Sequence, residues 1–394
     1  MISKKNNNED ISASIHRQSI LMINIESFNE DDILINGVTK KILDQGKSFE
    51  NLGFNVKYTG IIDNQLFMFN DKNKYLLGIT NGKAYKDRKI LYKSISKMIN
   101  KENAPDYVYI RHVGSDFSLL NMVRHLKILG TKVIIEFPTY PYFKERLRNI
   151  KGVLGLMLDL MCNCFISRWI TLSVNTNGYS KIFGTESYSI ENAVYVPRFN
   201  LHEKRENDGQ INLIAVSSMA KWHGYDRIIE GLKVYYKKSN RKYRVLLHLV
   251  GEGPELSYYQ TLCKKYNLED NIVFHGKMGG QNLDTLFNKC DIGLSSFGLY
   301  RIGLQNVSTL KVREYCARGI PFVYAYDENL LPDNIDFAYK FDNNGDPINI
   351  DRLIEFYETI QNIENINQQI REFAIKNYSF EKQFKEMFNT INKN

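Results

Sequence analysis

The sequence predicts an α/β protein made of two domains, each built on a parallel sheet covered by helices. Its 394 residues suffice for two ordinary domains. Along most of the chain, short apolar runs alternate with helical patterns of about ten residues or more, which is typical of parallel sheets with helical crossovers. Residues 201–210 are charged and polar and lack apolar periodicity, so we expect the domains to be joined there.

The first half begins with a strand, a helix and a second strand. After a polar, Asn-rich leader at residues 1–17, the run SILMINIES at residues 19–27 predicts a buried strand, and a helix and a further strand follow. The same order returns in residues 105–138, where VYIRH and KVIIEF suit a sheet covered on both faces. Residues 168–200 predict two more strands around a short helix. We therefore expect a Rossmann-like domain at residues 18–200.

The second half repeats this rhythm after the linker at residues 201–210. Five predicted strands and four predicted helices alternate between residues 211 and 325, and only helical patterns follow them. We expect a second Rossmann-like domain at residues 211–375, facing the first across a cleft. Residues 376–394 predict a C-terminal helix that packs back on the first domain.

The composition is that of a folded protein with a modest positive charge. The apolar share of 43% excludes a disordered chain. The net charge of +8 favours phosphate-rich ligands, nucleic acid or an anionic membrane. Nucleic acid is the weakest of these partners, because the basic residues do not cluster with aromatic residues on one stretch.

The cysteines and the N-terminal residues indicate a cytoplasmic protein. The five cysteines include no CxxC pair, so we expect neither a disulfide framework nor a zinc site. Asp31 and Asp32 do not follow a strand in a metal-binding pattern, and we expect no metal. The leader lacks the apolar segment of a secretory signal.

The most apolar segment of the chain is GVLGLMLDLMCNCFI, at residues 152–166. Asp159 and Asn163 interrupt it, and a buried amphipathic helix is the favoured interpretation. The alternative is a peripheral surface that rests on the anionic lipid headgroups of the inner membrane face. This alternative depends on the basic residues that precede the segment or begin it: Lys144, Arg146, Arg148 and Lys151.

Ligands of open parallel sheets bind beyond the carboxyl ends of the strands, so the loops there are the candidate sites. The loop at residues 217–226 places Lys221, His223 and Gly224 before a helix whose N–H groups and dipole would attract phosphate. Lys221 or His223 could add positive charge to this site. The alternative is an ordinary loop with a solvated lysine.

The next two strands end in loops that could hold other parts of a nucleotide. Gly251 and Gly253 allow close backbone approach to a ligand, although such glycines also serve simply to turn a corner. At the end of the following strand, the backbone of His275, Gly276 and Lys277 could bond a planar base.

The most informative segment is residues 298–325. Ser308 and Thr309 are good N-caps, so the N–H groups of the following helix can cradle a diphosphate. Lys311 and Arg301 supply the cations, and Glu314 lies on the same helix face as Lys311, placed to accept hydrogen bonds from sugar hydroxyls. The alternative is that Lys311 and Glu314 are only a surface pair.

These motifs, taken in order, resemble a known family. LVGEGPELSYYQTLCKKYNLEDNIVFHGKM, LFNKCDIGLSSF and LKVREYCARGIPFV resemble the donor half of the retaining glycosyltransferases of family four, which have the GT-B fold. The resemblance implies that the C-terminal domain holds a nucleotide sugar, expected to be UDP-linked, and that the N-terminal domain holds the acceptor. It implies transfer with retention, without a metal or cofactor, to a glycan, lipid-linked or protein acceptor in bacterial surface polysaccharide synthesis.

The resemblance also assigns residues of the second domain. Glu314 matches the second glutamate of a Glu-x7-Glu motif and should hold the ribose, while Asn306 stands in place of the first glutamate. Ser218 and His223 stand where the family has its phosphate-binding arginine and lysine. Lys311 and Arg301 are expected to replace these cations, as in the subset whose donor helix begins with a Leu-Lys pattern, here Leu310 and Lys311.

In the first domain, Gly37 matches the glycine loop that approaches the donor phosphates and the acceptor. Glu136, which we expect in a loop after a strand, could orient the acceptor hydroxyl or act as its base. The alternative is a loop glutamate paired with an arginine. Arg111 and His112 are further acceptor-side candidates.

The implied reaction places negative charge on the leaving diphosphate, which Lys311, Arg301 and the helix amides would stabilise. Two other functions remain open. One is a catalytically silent nucleotide-sugar-binding partner of another transferase, because Ser218, His223 and Asn306 replace charged residues of the family. The other is a nucleotide-sugar epimerase of the same architecture.

Overall fold

The computed structural model describes residues 17–30, 36–143, 150–203, 205–206, 208–332 and 334–393. The chain forms two compact units, residues 1–190 with 387–394 and residues 191–386. Each unit contains a mainly parallel sheet with helical crossovers, so the predicted α/β class with two Rossmann-like domains is confirmed.

The first unit contains a nine-stranded sheet within the described residues. Its strands are β1 (Ser19–Ile23), β2 (Asn55–Ile62), β3 (Gln65–Phe69), β4 (Lys74–Ile79), β5 (Tyr107–Arg111), β6 (Lys132–Phe137), β7 (Leu172–Asn175), β8 (Lys181–Ile182) and β9 (Thr185–Ser189). Its helices are α1 (Gly37–Asn51), α2 (Ala84–Met98), α3 (Phe117–Ile128) and α4 (Ile150–Ile166).

The strand order of this sheet is β4-β3-β2-β1-β5-β6-β7-β9-β8. The hairpin of β2 and β3 turns at Asp63 and Asn64, which both have positive φ, as a two-residue hairpin turn requires. The predicted short helix between residues 168 and 200 is wrong, because β8 and β9 pair there as antiparallel strands. The segment NAVYVPRFN contains a 3₁₀ turn at Val196–Arg198 in place of a predicted strand.

The second unit contains a six-stranded sheet and a separate pair of short strands. The strands are β10 (Gln210–Val216), β11 (Arg244–Val250), β12 (Ile272–Gly276), β13 (Ile292–Leu294), β14 (Asn306–Val307), β15 (Phe322–Tyr324), β16 (Asp327–Glu328) and β17 (Ala338–Lys340). The helices are α5 (Asp226–Tyr236), α6 (Leu256–Lys265), α7 (Gly280–Phe287), α8 (Leu310–Arg318), α9 (Ile350–Gln361), α10 (Ile366–Asn377) and α11 (Phe380–Lys393).

The six-stranded sheet is parallel throughout, in the order β12-β11-β10-β13-β15-β17. This is the Rossmann order, in which the direction of winding reverses between the first and fourth strands. Buried aliphatic and aromatic side chains cover both faces, which explains the continuous apolar runs of these strands.

The predicted linker is placed differently in the structure. The chain passes from the first unit to the second between residues 190 and 191, and residues 201–210 belong to the second unit. His202 is buried there and donates its backbone N–H to the carbonyl of Arg318 at 2.7 Å. Arg205 pairs with Asp291 at 3.0 Å, so this charged segment is anchored by partners in its own unit.

The C-terminal helix α11 begins in the second unit, and its residues from 387 onward belong to the first. Phe388 stacks on Phe54 with ring centroids 4.7 Å apart and meets Tyr107 edge to face. The predicted return of the C-terminal helix to the first domain therefore has a physical basis in aromatic packing.

Candidate functional site

The reversal point of the six-stranded sheet is where a ligand is expected to bind. It lies between β10 and β13, whose following loops carry His223 and Ser296. Helix α8 brings Lys311 to the same place, with its Nζ 3.5 Å from the Ser296 hydroxyl. Sequence reasoning missed Ser296, although its position directly after a strand was the available signal.

Lys311 occupies the first turn of α8, after the N-cap Thr309. Its amine is largely buried, and burial lowers its pKa to about 7. No carboxylate of the described residues forms an ion pair with this amine. The backbone N–H groups of Leu310 and Lys311 also have no hydrogen-bond acceptor among the described residues. A desolvated cation and open helix N–H groups together make a site suited to an anion.

His223 lies beside this lysine but does not add charge. Its Nδ1 accepts a hydrogen bond from the backbone N–H of Ala220 at 2.9 Å. Burial, with a smaller contribution from the Lys311 charge, lowers the pKa of His223 to about 3. The imidazole is therefore neutral at physiological pH, and the prediction that it supplies a cation is wrong. Lys221 is exposed at the start of the same turn.

The predicted role of Arg301 as a cation for the diphosphate is also corrected, because its guanidinium is already paired with a carboxylate. Its two terminal nitrogens reach the carboxylate of Asp226 at 2.9 and 2.6 Å, and one of them bonds the Lys221 carbonyl at 3.0 Å. A bidentate pair of this kind fixes geometry as well as charge. Arg301 therefore holds the loop before α5 in place, and Lys311 remains the uncompensated cation of the predicted pair.

Three predicted glycines are required by loop packing. A Cβ at Gly251 or Gly253 would lie 1.9 or 1.7 Å from the backbone oxygen of Ser217 or Ser218, and both glycines have positive φ. A Cβ at Gly224 would lie 2.5 Å from the backbone nitrogen of Gly298. These glycines let neighbouring strand-end loops pack backbone to backbone. Their direct contact with a ligand stays a prediction.

The hydroxyls of Ser308 and Thr309 face the protein. The Ser308 hydroxyl lies 2.6 Å from an Arg313 guanidinium nitrogen, and the Thr309 hydroxyl lies 3.0 Å from the Glu328 carboxylate. Arg313 and Glu328 form a fully buried ion pair at 2.6 Å. The predicted N-cap role is confirmed for Thr309, whose side chain accepts a hydrogen bond from the Val312 N–H, and the network of both hydroxyls anchors the N-terminus of α8.

Glu314 lies one turn after Lys311 and accepts a hydrogen bond from Arg318 at 2.9 Å. Arg318 also pairs with Asp284 of α7 at 2.7 Å. The Glu314 carboxylate thus has an anchored orientation while its side chain remains 29% exposed. Asn306, in contrast, lies in β14, where it is exposed and pairs in register with Asp327.

The predicted base-binding segment is structured by two contacts. The side chains of His275 and His248 meet with their ring nitrogens 3.0 Å apart, and burial lowers the pKa of His275. Gly276 accepts a hydrogen bond from the Gly251 N–H at 2.7 Å through its carbonyl. Lys277 is 80% exposed and lies 3.4 Å from Glu252.

Glu136 lies inside β6 and is fully buried, so the predicted strand KVIIEF is confirmed, whereas the expectation that Glu136 lies in the loop after it is wrong. Its carboxylate lies 3.0 Å from Arg111, 3.4 Å from Lys41 and 3.4 Å from the amide of Gln45. Burial alone would raise the pKa of Glu136, but Lys41 and Arg111 outweigh it and hold the pKa below its ordinary value. In this cluster the Glu136 carboxylate is held by two cations and an amide, so it is not an unpaired general base.

Sequence reasoning missed Lys41 and Gln45, although their i, i+4 spacing on α1 placed them on one helix face.

Gly37 begins α1 in open space, after residues 31–35, which include Asp31 and Asp32 and lie outside the described residues. His112 is buried, and its Nε2 lies 3.1 Å from the Ser115 hydroxyl and 3.3 Å from Asp159.

Comparisons with known proteins agree with this picture of the second unit. Residues 198–335 match the family model described as Glycosyl transferases group 1. Protein CapJ of Staphylococcus aureus is 28% identical over 138 residues, which cover 35% of this chain and 34% of CapJ. The chain therefore aligns with only about a third of that relative's length.

Two solved structures share the fold over nearly the whole chain. Sucrose-phosphate synthase from Thermosynechococcus elongatus superposes with a TM-score of 0.57 at 12% identity, covering 96% of this chain and 99% of that one. The pneumococcal O-GlcNAc transferase GtfA, in complex with UDP and GlcNAc, gives a TM-score of 0.53 at 12% identity with the same coverage. Together, these comparisons show that residues 198–335 are similar to the group 1 glycosyl transferase model and that the chain shares the fold of two Rossmann-like domains with both solved structures.

Proposed function

We propose that this protein transfers a sugar, with retention and without a metal, from a UDP-sugar to a glycan, lipid-linked or protein acceptor. The observation that carries the proposal is the Lys311 amine, desolvated beside the open N–H groups of α8 and free of an ion pair within the described residues. A group that loses hydration without gaining a counter-charge is costly, and a bound diphosphate would supply that counter-charge.

The chemistry follows from where charge develops. The bond between the anomeric carbon and the diphosphate oxygen breaks, and negative charge grows on the departing phosphate. Lys311 and the amides of the first turn of α8 stabilise this charge from fixed positions. The acceptor hydroxyl attacks from the face that the phosphate leaves, and its proton passes to a phosphate oxygen.

The choice of UDP is supported by GtfA, a structure of the same fold whose complex contains UDP and GlcNAc. A bacterial setting is supported by the similarity to CapJ of Staphylococcus aureus, and we place the acceptor in surface polysaccharide synthesis. The Glu314 carboxylate, oriented by Arg318, is available in this proposal for the ribose hydroxyls.

The test is a panel of nucleotide sugars, assayed for hydrolysis and for transfer to extracted bacterial glycans and lipids. We expect turnover with a UDP-sugar and a loss of about a hundredfold or more in Lys311→Met, because one electrostatic contact to a leaving group contributes on that scale. Lys264→Met, at an exposed lysine of α6, is the matched control and should retain activity.

Other outcomes identify the competing functions. Stabilisation by UDP without turnover of any donor would favour the silent partner, which the neutral His223 and the exposed Asn306 make a specific alternative. A rearranged nucleotide sugar formed without any acceptor would identify an epimerase. Neither binding nor turnover with the whole panel would contradict the proposal.

A further inference from the structure

Helix α4 exposes an apolar stripe with no charged side chain among its exposed described positions. Within residues 152–166, each of those positions holds glycine, cysteine or a large apolar residue. Leu154 and Met157 are each 62% exposed, Met161 is 43% exposed and Phe165 is 45% exposed. Their spacing of three, four and four residues places them on one side of the helix.

The polar residues of α4 face the protein interior. Asp159 and Asn163 are buried, and the backbone N–H of Ser115 donates to Asp159. The Tyr142 hydroxyl also donates to Asp159, and the Ser115 hydroxyl donates to Asn163 at 2.7 Å. A rotation of α4 that hid the apolar stripe would break these buried hydrogen bonds, so the exposure of the stripe is fixed by the fold.

This arrangement differs from an ordinary surface helix on its exposed side only, because Leu156, Cys162 and Ile166 are buried in the core as usual. Such helices turn apolar residues inward and charged residues to water. The favoured interpretation of residues 152–166 as a buried helix is therefore wrong for the outer face. A contiguous apolar surface on a folded protein marks a place where something other than water is bound.

The charge of the chain indicates what that occupant is. Residues 1–190 carry 26 Lys and Arg against 18 Asp and Glu, whereas the remaining residues carry 26 of each kind. The whole net charge of +8 thus lies in the first 190 residues, to which α4 belongs. Such a surplus repels a second copy of the same domain and attracts an anionic surface.

One basic side chain lies against the stripe, and others are exposed on the neighbouring helix. The guanidinium of Arg168 is exposed and lies 5.4 Å from the Phe165 ring centroid. Helix α3, which packs against α4, exposes Arg124 and Lys127.

We propose that α4 rests in the surface of an anionic phospholipid bilayer. Leu154, Met157, Met161 and Phe165 enter the boundary between headgroups and acyl chains, and the neighbouring basic residues contact the anionic headgroups. No helix of the described residues is long and apolar enough to cross a membrane. The bilayer is a partner beyond the proposed transfer reaction, and this surface does not depend on the donor site.

The experiment is sedimentation of the full chain with vesicles of phosphatidylcholine alone or mixed with phosphatidylglycerol. We expect binding to the mixed vesicles, weakened by salt, and little binding to phosphatidylcholine alone. Substituting Met157→Asp together with Met161→Asp should weaken binding at least about tenfold, because the stripe then carries charge into the bilayer. The control Val234→Asp, at a 54% exposed apolar position of α5, should bind like the wild type.

A second variant guards against a folding defect. Leu154→Ser with Phe165→Ser removes the ends of the stripe without adding charge, and it too should weaken vesicle binding while the circular dichroism melting curve stays unchanged. UDP binding measured in solution should persist in both variants, which separates failure of this surface from failure of the donor site.

Three results would overturn the proposal. The first is a wild-type chain that sediments with neither vesicle type. The second is a pair of folded variants that bind the mixed vesicles as well as the wild type does. The third is a dimer, seen by light scattering without lipid, that the stripe variants convert to monomers, because a second copy would then cover α4.

Discussion

Lys311 differs from Arg301 and Arg313 because it lacks a carboxylate partner among the described residues. Arg313 is paired with Glu328, and Arg301 is paired with Asp226. Both arginines therefore hold the loops and the helix end in place. Lys311 has no such partner, and burial lowers its pKa to about 7. In the proposed function the diphosphate of the donor supplies the missing counter-charge.

The affinity for a UDP-sugar should depend on pH through Lys311. Below the pKa of about 7 the amine is charged before the ligand arrives. Above this pKa, the Lys311 amine must take up a proton when the diphosphate binds, so the affinity should fall by up to about tenfold per pH unit. Calorimetry with UDP-glucose from about pH 6 to about pH 9 measures this slope, since the phosphates of a nucleotide sugar do not titrate in that range.

Lys311→Met should bind more weakly and should lack this slope. The stability of the ligand-free protein should change with pH in the opposite direction to the ligand affinity. Between about pH 7 and 10.5 the unfolded chain binds more protons at Lys311 than the folded chain does. The contribution of Lys311 to the free energy of unfolding therefore increases with pH in this range. An unchanged slope in Lys311→Met would show that another group takes up the proton.

At the scale of single residues, the sequence predicted the helix that carries Lys311 and Glu314 but not the pairing of the charged side chains around it. Lys311 and Glu314 are close in sequence, and helix periodicity is enough to place them together. Arg301 and Asp226 lie 75 residues apart, and Glu136 and Lys41 lie 95 residues apart. Only the strand order brings such partners together, so their neutralised charges could not be anticipated from local patterns.

At the scale of elements, the strand-end loops of the second unit are held by close backbone packing. Gly253 shows how tight this packing is, because its φ of 159° and the nearby Ser218 oxygen both exclude a side chain. The loops after β10 and β11 therefore pack closely against each other near the sheet reversal point. Rigid donors stabilise developing charge without a reorganisation cost.

Gly253→Ala should lower the free energy of unfolding by about 2 kcal/mol or more, because the new Cβ would meet backbone that cannot move away. Gly279→Ala is the matched control, since a Cβ there meets nothing within 4 Å. Urea unfolding followed by circular dichroism compares the two variants. Equal midpoints for both would show that the two loops are not packed as described.

The elements themselves were predictable where crossovers are helical. The strands of the six-stranded sheet follow from their continuous apolar runs. Strands β3 and β4 and helix α2 were missed, because β4 is an edge strand with exposed Tyr75, Leu76 and Ile79 and shows no clean alternation. The inward Asp159 of α4 was missed because its partners come from distant loops.

At the scale of the whole molecule, the net positive charge and the proposed donor site lie in different halves of the chain. The proposed anion site at Lys311 lies in the second unit, although residues 191–394 carry no net charge. The surplus of the first 190 residues favours an anionic surface instead. The proposed donor site therefore depends on geometry at one helix end, and the two proposals can be tested independently.

A crystal structure of the protein with UDP tests the proposed donor site most directly. We predict that the diphosphate lies within hydrogen-bond distance of Lys311 Nζ and of the N–H groups of Leu310 and Lys311, with the pair of Arg301 and Asp226 intact. A diphosphate bound away from α8, or one held by Arg301 after its separation from Asp226, would contradict the account.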